Sequence, residues 1–109
     1  TTGVNRISYW KNGRVITFDL DPAEFGLPRA TIADYVGGTP AENAAITRAI
    51  LSGEDTGPCR DVVLLNAAAA LSLKRGHIAA GLAEARESID SGKALATLEA
   101  WIDKTNSYK

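Results

Sequence analysis

The sequence predicts an α+β chain, an N-terminal β-hairpin followed by about four helices. Three observations predict it. Asn12-Gly13 splits two runs in which apolar and polar residues alternate. Thr39-Pro40-Ala41-Glu42 has the form of a helix start. From there to Thr105 the apolar residues recur at helical spacing, punctuated by glycine.

The hairpin comes first, over residues 1–20. Arg6 to Lys11 and Arg14 to Leu20 flank Asn-Gly, the dipeptide suited to a type I′ turn because both central positions need positive φ. That turn sets Lys11 opposite Arg14, Trp10 opposite Val15, Tyr9 opposite Ile16, Ser8 opposite Thr17 and Ile7 opposite Phe18. Strand alternation then gives a core face of Ile7, Tyr9, Ile16, Phe18 and Leu20. The other face is mostly polar, with Trp10 and Val15 as an apolar patch near the turn. A two-stranded hairpin is marginal alone in water, so this one needs helices or further strands against it.

Asp21 to Thr31 reads as a loop. Asp21-Pro22 can open one helical turn ended by Gly26, and Pro28 forbids a long helix. A second short turn fits residues 32–36.

The helical part spans 39–105. The first helix starts at the Thr39 capping box, runs to about Ser52 and ends at Gly53, with Ile46, Ala49 and Ile50 as its buried stripe. The second opens at Pro58, continues to about Lys74 and stops at Gly76. Its Val62 to Leu71 run is apolar nearly all round, which predicts a central, buried helix. Ala67 to Ala70 would let neighbouring backbones approach closely. The third covers about Ile78 to Asp90, with Ile78, Leu82, Ala85 and Ile89 on one face. The fourth covers about Lys93 to Thr105, with Leu95, Leu98 and Ile102 on one face and Ser91 as the expected N-cap. The tail from Asn106 should fray.

Composition bounds the function. The 109 residues are one domain's worth or less, 45% hydrophobic and 23% charged, which excludes a disordered or collagen-like chain. Twelve basic against 13 acidic residues give a net charge of −1, so no strong field draws in nucleic acid or anionic lipid. No run approaches the roughly 20 apolar residues of a membrane helix. One cysteine excludes an internal disulfide, and one histidine excludes a multi-histidine metal site. The chain begins at Thr1 and has no methionine, so it is expected to be a piece of a longer product. With no signal-peptide pattern, a cytoplasmic origin is expected.

No constellation for chemistry is visible. His77 has no second histidine and reads as an exposed turn residue at a helix end. Cys59, beside Arg60 at a helix N-terminus, lacks a base nearby in sequence and reads as an ordinary small residue. Gly37-Gly38-Thr39-Pro40 and Thr56-Gly57-Pro58 each precede a helix but match neither G-x-G-x-x-G nor the P-loop. Each has a proline that removes one N–H, and capping accounts for both. Asn66, the polar residue of the buried run, should be a clip hydrogen-bonded to the backbone of an adjacent loop. Glu84, Glu87, Asp90 and Glu99 read as solvated surface, and Trp10 and Trp101 as packing residues.

Gly37-Gly38-Thr39-Pro40-Ala41-Glu42-Asn43-Ala44 followed by Arg48 to Gly53 resembles the C-terminal region of anthranilate phosphoribosyltransferases. So do the run from Gly57-Pro58-Cys59-Arg60-Asp61 through Leu65-Asn66-Ala67-Ala68-Ala69-Ala70-Leu71, the closing Ala85 to Ala94 with Leu98-Glu99, and Phe25-Gly26-Leu27-Pro28-Arg29-Ala30. The resemblance covers nearly all of residues 1–109. It implies that the chain is the C-terminal part of a larger α/β phosphoribosyltransferase domain. The activity implied is transfer of phosphoribosyl from phosphoribosyl pyrophosphate to the anthranilate amine, in tryptophan biosynthesis, with Mg²⁺. The family is commonly homodimeric, so the implied partners are the remainder of the enzyme and a second copy of it, with no nucleic acid and no membrane.

The family's G-T-G-G-D loop, K-H-G-N segment and D-E acidic pair do not occur here; the acidic pair would fall just before Thr1. No catalytic, substrate-binding or metal residue therefore carries over to this chain, and by itself it should be inactive. A reading from another class is a free-standing helical interaction module without catalysis. A third is a relative with a different acceptor; the related pyrimidine nucleoside phosphorylases share the general architecture, but the Leu-Asn-Ala-Ala-Ala-Ala pattern resembles the anthranilate enzymes more closely.

Overall fold

A computed structural model describes all of residues 1–109. Strand β1 (Asn5–Lys11) and strand β2 (Arg14–Leu20) form an antiparallel pair in the register that the turn dictates, from Lys11 opposite Arg14 to Ile7 opposite Phe18 and Asn5 opposite Leu20. Asn12 and Gly13 both take positive φ, 52° and 77°, as a type I′ turn requires. On the outer face Arg6 pairs with Asp19 and the Ser8 and Thr17 hydroxyls hydrogen-bond across the strands.

Two single-turn 3₁₀ helices follow, Pro22–Phe25 and Ile32–Tyr35. The first is capped by the Asp21 carboxylate and ended by Gly26 in the left-handed region. At the second, the Asp34 carboxylate accepts from both the backbone N–H and the hydroxyl of Thr31. Then come helices α1 (Pro40–Leu51), α2 (Pro58–Arg75), α3 (Ile78–Asp90) and α4 (Lys93–Asn106).

The core is the seam between α2 and α3. Leu64 and Ala68 of α2 meet Ile78, Leu82, Ala85 and Ile89 of α3, and Leu20, Leu27 and Ile50 complete the buried cluster. Gly81 sits across from Ala68 with backbone against backbone, the close approach expected of the alanine run. The four α3 positions at helical spacing are all buried, and the Ala94 side chain of α4 packs onto the same cluster.

Several expectations are corrected. Of α2's apolar run only Leu64 and Ala68 are fully buried, because α3 covers one side of the helix and little covers the other. Asn66 is exposed, and its amide donates to the Val62 carbonyl of its own helix rather than to a loop. The inner hairpin face is only part core: Leu20 is buried, Ile7 and Tyr9 are half-buried, and Ile16 and Phe18 stay exposed. Trp10 and Trp101 do not pack, being 73% and 66% exposed. Ser91 ends α3; the N-cap of α4 is Gly92, at φ 80°, with no side-chain cap. Asn106 still belongs to α4, so only the three residues after it lie beyond the helix.

Candidate functional site

The inner hairpin face leans over the C-terminal half of α2 and the start of α3. Between them runs a cleft of about 530 Å³. Its walls are aromatic and aliphatic: Tyr9 and Phe18, edge to face with centroids 6.1 Å apart, then Phe25, Leu73 and Ile78. Lys11, Asp19 and Glu24 also line it. A smaller hollow of about 320 Å³ lies on the other side of Ile7, against Val62, Leu65 and Asn66. The hairpin thus stands off α2 with a gap on each side of its base. Mostly apolar walls suit packing; the polar lining groups Asp19, Ser72 and His77 are bonded to Arg6, the Ala69 carbonyl and the Ala80 N–H.

His77 borders the cleft, and its role differs from a turn residue beside a helix C-terminus. It is the N-cap of α3, and its Nδ1 accepts from the Ala80 N–H at 3.2 Å, which leaves that nitrogen without a proton. Cys59 is half-buried and its thiol donates to the Asp34 carbonyl, tying α2 to the second 3₁₀ turn. Nearby, the hydroxyls of Thr1 and Tyr35 share a hydrogen bond and Thr1 is buried.

Of the two glycine-preceded helix starts, that of α1 is closed by its own side chains, and that of α2 has no side-chain cap. Before α1, the Asn43 amide grips Gly38 at both N–H and carbonyl, and the Glu42 carboxylate accepts from the Thr39 N–H and hydroxyl. Those hydrogen bonds hold Glu42 below the usual carboxylate range. A Cβ on Gly38 would stand 2.3 Å from the Glu42 carboxylate, so the loop hugs its cap. Before α2, the Gly57 N–H donates to Asp55. At α1 those donors are already spoken for, which removes the basis for a phosphate cradle there.

The acids expected on the surface mostly fasten helices together. Arg60 of α2 reaches Asp90 of α3 at 2.6 Å, Arg75 of α2 reaches Glu84 of α3 at 2.6 Å, and Arg48 of α1 pairs with Glu99 of α4. Glu87 makes no ion pair. Burial pushes the Asp61 carboxyl up, against the opposing pull of Arg60 and Arg86. Nowhere do three His, Cys, Asp or Glu side chains converge, so the residues present do not fit a magnesium site. Sequence reasoning missed Gly81 and the Thr1–Tyr35 bond. A glycine inside a helical pattern was the available signal for the first; nothing local signalled the second.

The chain is similar along almost its whole length to part of much longer enzymes. It is 47% identical to the anthranilate phosphoribosyltransferase of Caulobacter vibrioides, over 98% of this chain and 32% of that protein. It is 50% identical to that of Desulfosudis oleivorans, over 94% of this chain and 31% of that protein. Among solved structures, the Saccharomyces cerevisiae enzyme in complex with 4-fluoroanthranilate superposes with a TM-score of 0.85 at 35% identity, over 96% of this chain and 31% of that one. The Thermus thermophilus enzyme superposes with 0.78 at 37% identity, over 94% of this chain and 31% of that one. A variant of the yeast enzyme has been solved with Mg bound. The chain spans about a third of the length of these relatives. Residues 1–95 match the glycosyl transferase family, a/b domain, and the chain belongs to that family.

Proposed function

We propose that this chain is the buttressing third of an anthranilate phosphoribosyltransferase. In the assembled enzyme, phosphoribosyl passes from phosphoribosyl pyrophosphate to the anthranilate amine and pyrophosphate leaves. The α2–α3 seam is the rigid part, and the remaining two thirds of the enzyme seat on the apolar inner face of the hairpin. The groups that hold Mg²⁺ and the departing pyrophosphate belong to those two thirds. The enzyme works as a homodimer in the cytoplasm.

The observation that carries this reading is the 47% identity across 98% of the chain but only 32% of the relative. The half-covered hairpin supports it, since an apolar sheet face left open to water is unfavourable and calls for a cover.

A graft tests it. This chain replaces the matching third of the Caulobacter vibrioides enzyme, and loss of anthranilate fluorescence is followed with phosphoribosyl pyrophosphate and Mg²⁺. The isolated chain should consume no anthranilate and the graft should consume it. A folded, soluble graft without turnover overturns the proposal, as does turnover by the isolated chain. A second graft, into the Desulfosudis oleivorans enzyme, covers the case in which the first aggregates.

A further inference from the structure

We infer that His77 makes the start of α3 sensitive to protons: the neutral imidazole caps the helix, and the protonated ring releases it. The inference concerns the joint between α2 and α3 and does not depend on the enzymatic reading.

The cap itself is the first observation. Nδ1 of His77 accepts from the Ala80 N–H at 3.2 Å. The opening N–H groups of a helix have no partner within it, and a side chain commonly answers one of them. The preferred capping residues are Ser, Thr, Asp and Asn, whose acceptor oxygens stay available through neutral pH. The acceptor of a histidine does not. The nitrogen that accepts is the one that a second proton occupies, and imidazole gains that proton between about pH 5 and 8. The ring is exposed, so protons reach it.

No other side chain at this helix start can take over. α3 has no acidic residue in its first turn, which is Ile78-Ala79-Ala80. A cation there also meets the positive pole of the helix. On the other side, α2 ends at Gly76, and a protonated ring is a donor suited to the carbonyls that end a helix.

The surrounding charges point the same way. Lys74 and Arg75 end α2, and Arg75 is paired with Glu84 of α3. Lys11, Asp19 and Glu24 line the cleft that the ring borders. Asp19 is held by Arg6, so Glu24 is the carboxylate of this set without an ion pair. It offers the protonated ring a partner away from the cap. The cap therefore contributes above the titration range of the ring and is lost as pH falls through it. Ile78 and Gly81 are buried in the seam, so release loosens the rigid part of the fold at one end.

Hydrogen exchange read by mass spectrometry tests this on the grafted Caulobacter vibrioides enzyme, at about pH 7.5 and about pH 5.5, with intrinsic rates corrected for pH. The expected result is a drop in protection of about fivefold across Ile78 to Leu82 at the lower pH, with Ala85 to Ile89 as internal reference. His77→Asn keeps a cap that does not titrate and should abolish the drop. His77→Ala should be poorly protected at both pH values. No drop in the parent, an equal drop in His77→Asn, or full protection of His77→Ala at the higher pH overturns the inference. The Desulfosudis oleivorans graft carries the same measurement if the first aggregates. The readout needs no turnover, so a folded graft that consumes no anthranilate overturns the enzymatic reading and still reports on the cap.

Discussion

Gly81 lies so close to Ala68 that a Cβ built on it would stand 2.4 Å from the Ala68 carbonyl oxygen. That contact sets the separation of α2 and α3. In an open helix, glycine to alanine stabilises by about 1 kcal/mol. Here the neighbour is backbone and cannot swing aside. Gly81→Ala is therefore expected to destabilise by about 1–3 kcal/mol, read as a lower midpoint of urea unfolding. An unchanged or higher midpoint would show that the two helices can part without cost.

Leu64 and Asn66 are neighbours on α2 with opposite fates. Leu64 is 1% exposed at the centre of the buried cluster, so Leu64→Ala should cost about 2–5 kcal/mol. Asn66 points to solvent and bonds within its own helix, so Asn66→Ala should change stability by no more than about 0.5 kcal/mol. Unfolding midpoints of the two variants check the pair. A large loss from Asn66→Ala would mean that its exposed side meets something in solution.

The capping box at α1 should be worth its usual amount. Thr39 takes the Glu42 N–H at 3.3 Å and gives its own N–H to Glu42 at 2.7 Å. Thr39→Ala should cost about 1 kcal/mol, and thermal melting checks it.

Acid should unfold the chain through a few named carboxylates. Hydrogen bonds from Arg6, Thr31, Thr39 and Arg75 hold Asp19, Asp34, Glu42 and Glu84 below their ordinary values. A lowered folded value means stability that is present above the unfolded value and lost as pH falls through the folded one. Asp61 has the opposite sign. Burial raises it, so its ionisation costs stability as pH rises, and its protonation opposes the acid loss. Stability should fall below about pH 4. Glu42→Gln should make that fall shallower and Asp61→Asn should make it steeper, as read from urea midpoints against pH.

Hydrogen exchange should separate seam from hairpin. In dilute isolated chain, the α2 and α3 amides around Leu64 and Leu82 should be the slowest. The β1 and β2 amides should exchange through local opening. Full protection of the hairpin amides with no other chain present would sink the idea that this face needs a cover.

Local chemistry made most of the fold legible. The hairpin register followed from Asn12-Gly13, and the helix bounds followed from the Thr39 box, Pro58 and Gly76, because each is a short-range steric or hydrogen-bonding demand. Periodicity found the buried face of α3 but overstated that of α2. An apolar stripe reports what a helix is suited to bury, and says nothing of whether this chain contains the partner. The same limit explains Trp10 and Trp101. His77 is the exposed turn residue expected, but its capping of α3 was not legible, because it lies between two helices and only geometry shows which end its ring serves. The candidate site was legible chiefly as resemblance, since no chemical constellation exists among these residues to be read.

The pair between Arg48 and Glu99 joins residues 51 apart in the chain, whereas the Asn12-Gly13 turn and the Gly76 joint between α2 and α3 each close a short loop. Long loops form late, because their ends must be gathered before any contact rewards them. The chain should therefore assemble from two local nuclei, the hairpin and the α2–α3 helical hairpin, with the α1–α4 clasp shutting last. Breaking that clasp should quicken unfolding and leave the rate of folding almost untouched.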